Sequence, residues 1–319
     1  MTNEAVMKNH EPGTTLAIVV LHYGAAESTL RCVRSLYEHV CESAKVIVVD
    51  NGTRDPEIRS LANDCDDLII VELSENNGWA GGCNAGIQKA LTLGAGAICL
   101  LNNDTVVPNG ASDMVKLSRR FEQLGPCLLH PAIDYLDCDR PPQLDPSKAE
   151  TAGSAVAEGI YEMDHAYGAC LIVPAQLFNM LGLFDERFFL QLEETDFYER
   201  ARKAGYRSYC DTNVRIKHAE SAAFGGWMPP LKLYYITRNT LLLIEKGGFD
   251  RRLARRRLQT LYWLLRELHA GARLKSVYSF FVVWLIFGAG FPRAFRRGFV
   301  DYLLRRFGRA SRSIETMKI

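Results

Sequence analysis

The residues able to do chemistry in this 319-residue chain fall into a few short clusters. Three of them terminate apolar runs: His22-Tyr23-Gly24, Asp50-Asn51-Gly52 and Asn102-Asn103-Asp104. If those runs are parallel strands, their polar ends converge on one sheet edge, which is where open α/β sheets bind ligands. Each cluster also has a local reading, because Asp-Asn-Gly makes a good turn and Asn-Asn-Asp can cap the segment that follows. A fourth cluster, Glu193-Glu194-Thr195-Asp196, puts three acids within four residues at a helix start. Their mutual repulsion raises proton affinity, as a general base requires, while acids at that position also simply complement the helix dipole. A fifth segment, ENNGWAGGCNAG, has glycines at 78, 81 and 82 and so suits close approach of backbone to a ligand.

The elements that must position these clusters are readable from periodicity. LAIVVLHYG (16–24), KVIVVDNG from Lys45, LIIVEL (68–73) and AICLLNND (97–104) are short, β-branched and stopped by polar residues or glycine, as buried strands are. Helical spacing of Leu30, Val33, Leu36 and Tyr37 follows the first run, with Ser28 as a candidate cap, and IQKALTL precedes the fourth. Strand, helix, strand, helix predicts a parallel α/β sheet. The proline-rich stretch 126–159 reads as loops with short antiparallel strands. YGACLIVP (167–174) is then a strand, Ala175 to Leu181 a helix, QLEETDFYERARKAG a helix stopped by Gly205, and RSYCDTNVRIKHA a further strand.

Composition excludes several classes. With 48% hydrophobic and 24% charged residues the chain is neither disordered nor a disulfide scaffold, and 38 Lys+Arg against 37 Asp+Glu argue against nucleic-acid binding through global charge. The charge is unevenly placed: 16 Lys/Arg and 4 Asp/Glu lie from Gly247 onward, against 22 and 33 before it. Nine cysteines without a C-x-x-C pair read as reduced, mostly buried thiols of a cytosolic protein, and zinc-type spacing is absent. No G-x-G-x-x-G follows the first strand and no P-loop lysine motif occurs, which disfavours hydride transfer and P-loop phosphoryl transfer. Residues 1–14 read as a flexible start without secretory-signal features, 15–246 as the α/β domain, and 247–319 as a helical, basic extension. Its apolar stretch 277–291 is short for a membrane span. It suits lying on a membrane surface, or packing on the α/β body or on a second copy in a homo-oligomer.

VIVVDNGTRD, ENNGWAGGCNAGI, LLNNDTVVP, the segment from YGACLIVP to ERARKAGYR, and RIKHAES occur in the order and spacing of the motifs of family 2 inverting glycosyltransferases. Across 16–245 the chain resembles that family, in particular bacterial rhamnosyltransferase-like members that build surface polysaccharides. The resemblance implies the GT-A fold, an α/β fold with a mostly parallel central sheet, and transfer of a sugar from a nucleoside diphosphate donor. A dTDP- or UDP-sugar, rhamnose or a similar hexose, would be the donor, and a glycan or polyprenyl-linked hydroxyl the acceptor.

By the same resemblance, Asp50 binds the base or ribose, flanked by Tyr23 and Asn51, and the turn bearing Asn77, Gly78, Trp79 and Asn84 lies near the nucleotide-sugar; Trp79 is equally suited to pack on the sheet. Asn103 and Asp104 stand at the family's D-x-D position, where only Asp104 keeps a carboxylate for Mg²⁺ or Mn²⁺, and His218 matches a second metal ligand. Glu194 matches the catalytic base, in place of the usual aspartate, with Glu193 and Asp196 positioning a sugar hydroxyl or the metal shell. Arg238, in a Tyr-Tyr-x-x-Arg-Asn segment, would neutralise the departing diphosphate. Such an enzyme would work as a peripheral protein at the cytoplasmic face of the membrane. The rivals are a non-catalytic sugar-nucleotide-binding or membrane scaffold, favoured by the missing D-x-D carboxylates, and a nucleotidyltransferase, disfavoured because HYGAAEST lacks a basic phosphate loop.

Overall fold

The computed structural model describes residues 15–37, 44–65, 67–136, 142, 144–147, 154–219, 229–248, 250–268 and 293–316. The expected flexible start and the apolar stretch 277–291 lie outside the described residues. The chain divides into two compact units, one made of residues 1–184 and 197–223 and the other of 185–196 and 224–319. The break expected after Lys246 is therefore not where the units part.

In the first unit the strands are β1 (Leu16–His22), β2 (Ala44–Asp50), β3 (Ile69–Glu72), β4 (Ala97–Asn102), β5 (Thr105–Val106), β6 (Leu128–Tyr135), β7 (Ser154–Ala157), β8 (Ile160–Met163), β9 (Cys170–Pro174) and β10 (Ser208–His218). They form one sheet ordered β3-β2-β1-β4-β9-β6-β10-β8-β7, with β5 pairing β10. The expected mostly parallel sheet holds from β3 to β4 and again for β6 beside β10, whereas β9 runs antiparallel to both its neighbours and β8 and β7 are antiparallel too. The sheet is thus mixed. Parallel neighbours need a crossover of a dozen residues or more, usually helical, and the chain from β7 to β9 contains no helix among the described residues.

The interleaved helices are α1 (Ala26–Tyr37), α2 (Pro56–Asp64), α3 (Gly78–Thr92), α4 (Ala111–Leu124), α5 (Ala175–Leu181) and α6 (Glu193–Lys203). α1 begins two residues before Ser28, so that serine is not its cap. α2 is capped by Asp55, which accepts the Glu57 amide, and Pro56 supplies a preset first turn. The alternation of β1 shows why the strands are apolar throughout. Leu16, Ile18 and Val20 pack with α1, α2 and α4, while Ala17, Val19 and Leu21 pack with α3, α5 and α6. Both faces are covered, giving three layers. Seven of the nine cysteines lie among the described residues, and all seven are free and buried.

The second unit is helical, with α7 (Pro230–Lys246), α8 (Arg251–Leu268), α9 (Arg293–Leu303) and a last turn α10 (Arg312–Glu315). Leu233, Tyr234 and Tyr235 of α7 form a core with Ala294 and Phe295 of α9. This packing is why α7 groups with the basic helices. At Gly298 an added Cβ would run into the Tyr234 carbonyl and Thr237, so the glycine permits the close crossing. No helix among the described residues is long and apolar enough to cross a membrane.

A candidate nucleotide site and a buried acid cluster

Register brings the strand-end clusters together. His22 pairs with Asp50, and Leu21 with Asn102, so β1, β2 and β4 end within one residue of each other. Asp50 is 1% exposed. Its Oδ1 accepts the Thr53 amide at 2.8 Å and the Thr53 hydroxyl at 2.6 Å, while Oδ2 is buried without a partner. Burial would raise the Asp50 carboxyl pKa, but the Thr53 hydrogen bonds and the nearby imidazole of His22 overcome it and hold the pKa below the ordinary value. The pair therefore presents a carboxylate with one oxygen spare, as a buried ligand donor would meet.

His22 belongs to this constellation although the sequence reading did not assign it a role. Its Nδ1 lies 2.8 Å from the Thr29 hydroxyl, which also accepts from the Asn103 amide at 2.9 Å. The Thr29 hydroxyl thus links the His22 ring to the Asn103 amide. Burial keeps the ring below its usual pKa against the pull of Asp50 and Asp55, and Nε2 is buried without a partner. Tyr23 is half exposed beside it.

The glycine-rich segment departs from expectation: it is helix from Gly78 onward. An added Cβ at Gly82 would overlap Leu21 and crowd Asn51, and one at Gly86 would overlap Val19 and Val49. Gly82 and Gly86 thus bring α3 close to the sheet, so at Gly82 the missing side chain makes room for a strand. Asn51 donates to Asn76 Oδ1 and to the Gly78 carbonyl, both at 3.0 Å, and accepts the Asn77 amide at 2.9 Å. It pins the entry to α3, leaving the Asn77 side chain exposed. Trp79 packs its ring 5.2 Å from Phe184 and donates to Asn102 Oδ1 at 3.3 Å, and Asn84 is buried, exchanging two 3.0 Å hydrogen bonds with the Phe184 backbone. The amide group of Asn84 is thus engaged by protein, and Trp79 follows the packing alternative.

Asp104 and His218 meet because the two-residue strand β5 turns back from β4 and pairs His218 with Thr105. Asp104 Oδ1 lies 3.1 Å from His218 Nε2, and Asn102 Nδ2 is 3.4 Å from the same nitrogen. Two ligands of an octahedral cation at about 2.1 Å stand about 3 Å apart when adjacent, so the pair has the right separation. Among the described residues there is no group of three or more His, Cys, Asp or Glu placed to hold a metal, so such an ion would rely on ligand oxygens and water to complete its shell.

The acid cluster opens α6 in the second unit. Glu193 is 4% exposed and its Oε2 has no partner. Burial, reinforced by the charge of Glu194, pushes its pKa well above the ordinary value; burial also raises Glu194, against the opposing pull of Arg257. Asp196 is different: it accepts from Lys246 Nζ at 2.9 Å, and the same ammonium reaches Asp185 at 2.6 Å. That ammonium ties Asp196 to Asp185.

Ahead of these acids the backbone is unusual. Phe189, Gln191 and Leu192 have φ of 62°, 73° and 73°, a left-handed conformation that disfavours side chains by roughly 1–3 kcal/mol each. Arg238 explains how the segment survives. It is fully buried against the rings of Tyr234 and Tyr235, and all its donors are engaged: Nε by Asn239, Nη1 by Gly308 O and Tyr234, Nη2 by the carbonyls of Arg187 and Phe188. The role expected of Arg238 on a diphosphate is corrected accordingly, since no N–H remains to offer.

The architecture of the first unit, a covered mixed sheet with its polar edge at the strand ends, is the GT-A fold of nucleotide-sugar transferases. Residues 17–134 match Glycosyl transferase family 2. Among curated proteins the chain is 25% identical over 197 residues to the low-salt glycan biosynthesis hexosyltransferase Agl10 of Haloferax volcanii, covering 59% of this chain and 62% of that one. It is 24% identical over 244 residues to the dTDP-rhamnosyl transferase RfbF of Shigella flexneri, covering 72% and 80%. Among solved structures, the mannosyltransferase PcManGT from Pyrobaculum calidifontis, in complex with GDP-Man and Mn²⁺, superposes with a TM-score of 0.57 at 13% identity over 92% of this chain and 88% of that one. The 1–349 fragment of S. aureus TarS in complex with UDP-GlcNAc gives 0.57 at 13%, over 91% and 80%.

Proposed function

We propose that the protein is an inverting glycosyltransferase that moves a hexose, rhamnose or a close relative, from a dTDP- or UDP-linked donor to a hydroxyl of a surface glycan or its polyprenyl-linked precursor. The observation that carries the reading is the strand-end edge, where Asp50 at the end of β2 keeps a buried oxygen spare and β4, one strand further along beyond β1, leads into the Asp104–His218 pair. Asp50, with Tyr23 alongside, is the nucleoside anchor in this reading. Asp104 and His218 would hold Mg²⁺ or Mn²⁺, and the cation, when bound, offsets the charge of the diphosphate. Asn103 fixes Thr29 and through it His22, keeping the edge in place.

Glu194 is the proposed base. It is less buried than Glu193 and not held by Lys246, and burial raises its pKa above the ordinary value, the direction a general base needs. The acceptor oxygen attacks the anomeric carbon as its proton passes to Glu194. The bond from that carbon to the diphosphate oxygen breaks in the same displacement, and the nucleoside diphosphate leaves with the electron pair. Glu193, whose pKa burial pushes well up, and Asp196, anchored by Lys246, set the start of the helix.

A peripheral position at the cytoplasmic membrane face accords with α9, whose Arg293 and Arg296 lie outward with Val300 and Leu303, the last 59% exposed, in an interface-seeking stripe. The function is tested by release of nucleoside diphosphate from a panel of dTDP- and UDP-sugars, with Mn²⁺, with Mg²⁺ and with chelator, in the presence of polyprenyl-diphosphate-linked glycans. Cation-dependent release from one donor, with the product of opposite anomeric configuration, is expected. Binding of the sugar nucleotide without turnover under any acceptor or cation would instead favour the scaffold.

A further inference from the structure

Arg238 and Asn239 stand next to each other in α7, both fully buried, and Arg238 Nη2 and Asn239 Nδ2 both donate to one short stretch of backbone. Asn239 Nδ2 lies 2.9 Å from Phe188 O, 2.8 Å from Leu190 O and 2.7 Å from Gln191 O, while its Oδ1 accepts Arg238 Nε at 3.0 Å. Arg238 Nη2 takes Phe188 O at 2.8 Å and Arg187 O at 3.0 Å. Four consecutive-region carbonyls, those of residues 187, 188, 190 and 191, are thus held by two side chains, and the stretch they hold contains the left-handed Phe189, Gln191 and Leu192. Glu193 follows at once, and the Leu192 carbonyl accepts the Asp196 amide in the first turn of α6.

From this geometry we infer that Arg238 and Asn239 are positioning residues for the acid pair Glu193–Glu194: they clamp the 187–192 backbone in a conformation it would not otherwise keep, and so fix where α6 begins and where its two glutamates lie. The inference rests on the proposed role of Glu194 in sugar transfer for its functional half; the structural half stands without it. A sequence of ordinary residues cannot hold three left-handed positions by local preference. Of the four carbonyls, that of Phe188 also takes the Leu190 amide at 2.7 Å and that of Arg187 the Gly308 amide at 3.0 Å, while Asn239 Nδ2 serves those of Leu190 and Gln191. Arg238 offers a rigid fork and Asn239 a two-hydrogen amide, which together match a cluster of carbonyls that a single lysine would not. Tyr234 and Tyr235, set edge to face, both pack against the guanidinium, whose carbon lies 5.4 Å and 4.9 Å from their ring centroids. The burial that raises the glutamates is then a consequence of the clamped backbone.

The test uses the full chain with Asn239→Ala and, if that variant does not fold by its melting curve, the isosteric Asn239→Asp, whose charge Arg238 would neutralise. Two readouts are taken: hydrogen exchange of the 187–192 amides, and kcat against pH at saturating donor. At least tenfold faster exchange confined to 187–192 is expected, together with a kcat loss of tenfold or more, an unchanged donor KM, and a rising limb moved to lower pH by half a unit or more as the glutamates become solvated. Unchanged exchange overturns the clamp. Faster exchange with a pH profile that is only scaled down, not shifted, overturns the positioning role, since a smaller folded fraction scales kcat at every pH alike. If the wild type transfers no sugar at any pH, the proposed function fails, and the exchange result alone still decides whether the pair holds the segment.

Discussion

The strand-end edge of the first unit and the acid cluster of the second unit both bury titratable groups, yet they are built by different means. At the edge, regular parallel register delivers His22, Asp50 and Asn102 to one level, and short side-chain bonds from Thr29 and Thr53 finish the work. At the acid cluster no register exists, and two buried side chains of a helix some fifty residues away in sequence grip an irregular backbone. The first kind of site comes with the fold, whereas the second has to be held there by particular residues. A substitution should therefore act locally at the edge and across the whole loop at the cluster.

The largest effect that sharpens this contrast is catalytic. Glu194→Gln is expected to lower turnover about 10³-fold, within the range of a lost general base, while leaving nucleotide binding intact. Asp104→Ala should impair both. Steady-state kinetics together with nucleotide titration of each variant separates them, and a Glu194→Gln enzyme with ordinary turnover would remove the acid cluster from the chemistry.

A second expectation concerns acid stability of the first unit. His130, wholly buried in β6, has its pKa lowered to about 4 from the ordinary 6.5, by burial first and by His165 in addition, with the Pro131 carbonyl opposing. A group whose folded pKa is depressed binds more protons unfolded, so its contribution is complete above pH 6.5 and is lost as the pH falls toward 4. The shift corresponds to about 3 kcal/mol over that window. Urea unfolding at pH 7 and pH 4.5 measures it, and His130→Gln should flatten the difference; an equal decline in the variant would place the sensitivity elsewhere.

The smallest expected effect tests the packing of the edge. Gly86→Ala puts a methyl against Val19 and Val49 and should cost about 1–3 kcal/mol, read by denaturant midpoint, with donor affinity little changed. A large loss of donor affinity with intact stability would contradict a packing role for that glycine.

Much of the first unit is legible in the sequence because its signals are local. The apolar runs, their polar ends and the glycine stop at Gly205 all translate directly into β1, β2, β4 and α6. What escapes depends on partners distant in sequence. α3 begins inside the glycine cluster because contact with Leu21, Val19 and Val49 outweighs the low helix preference of glycine. β5, two residues long, has no periodicity to find, although it is what joins Asp104 to His218. Arg238 reads as a cation awaiting a phosphate until the inward-facing carbonyls of the 187–192 loop are known, and nothing in LQLEE announces their conformation. Gly298 and Tyr234 likewise bind α7 to the basic helices without a local sign.

The central claim is that the strand-end edge binds a nucleoside diphosphate through Asp50 and a cation held by Asp104 and His218. Its most direct test is the melting temperature of the purified chain titrated with dTDP, UDP and GDP, each with Mn²⁺ and with EDTA, beside the Asp104→Ala variant. The account predicts an upward shift with dTDP or UDP that needs the cation and vanishes in Asp104→Ala. A folded protein that no nucleoside diphosphate stabilises, or one stabilised equally with EDTA and in Asp104→Ala, would contradict it.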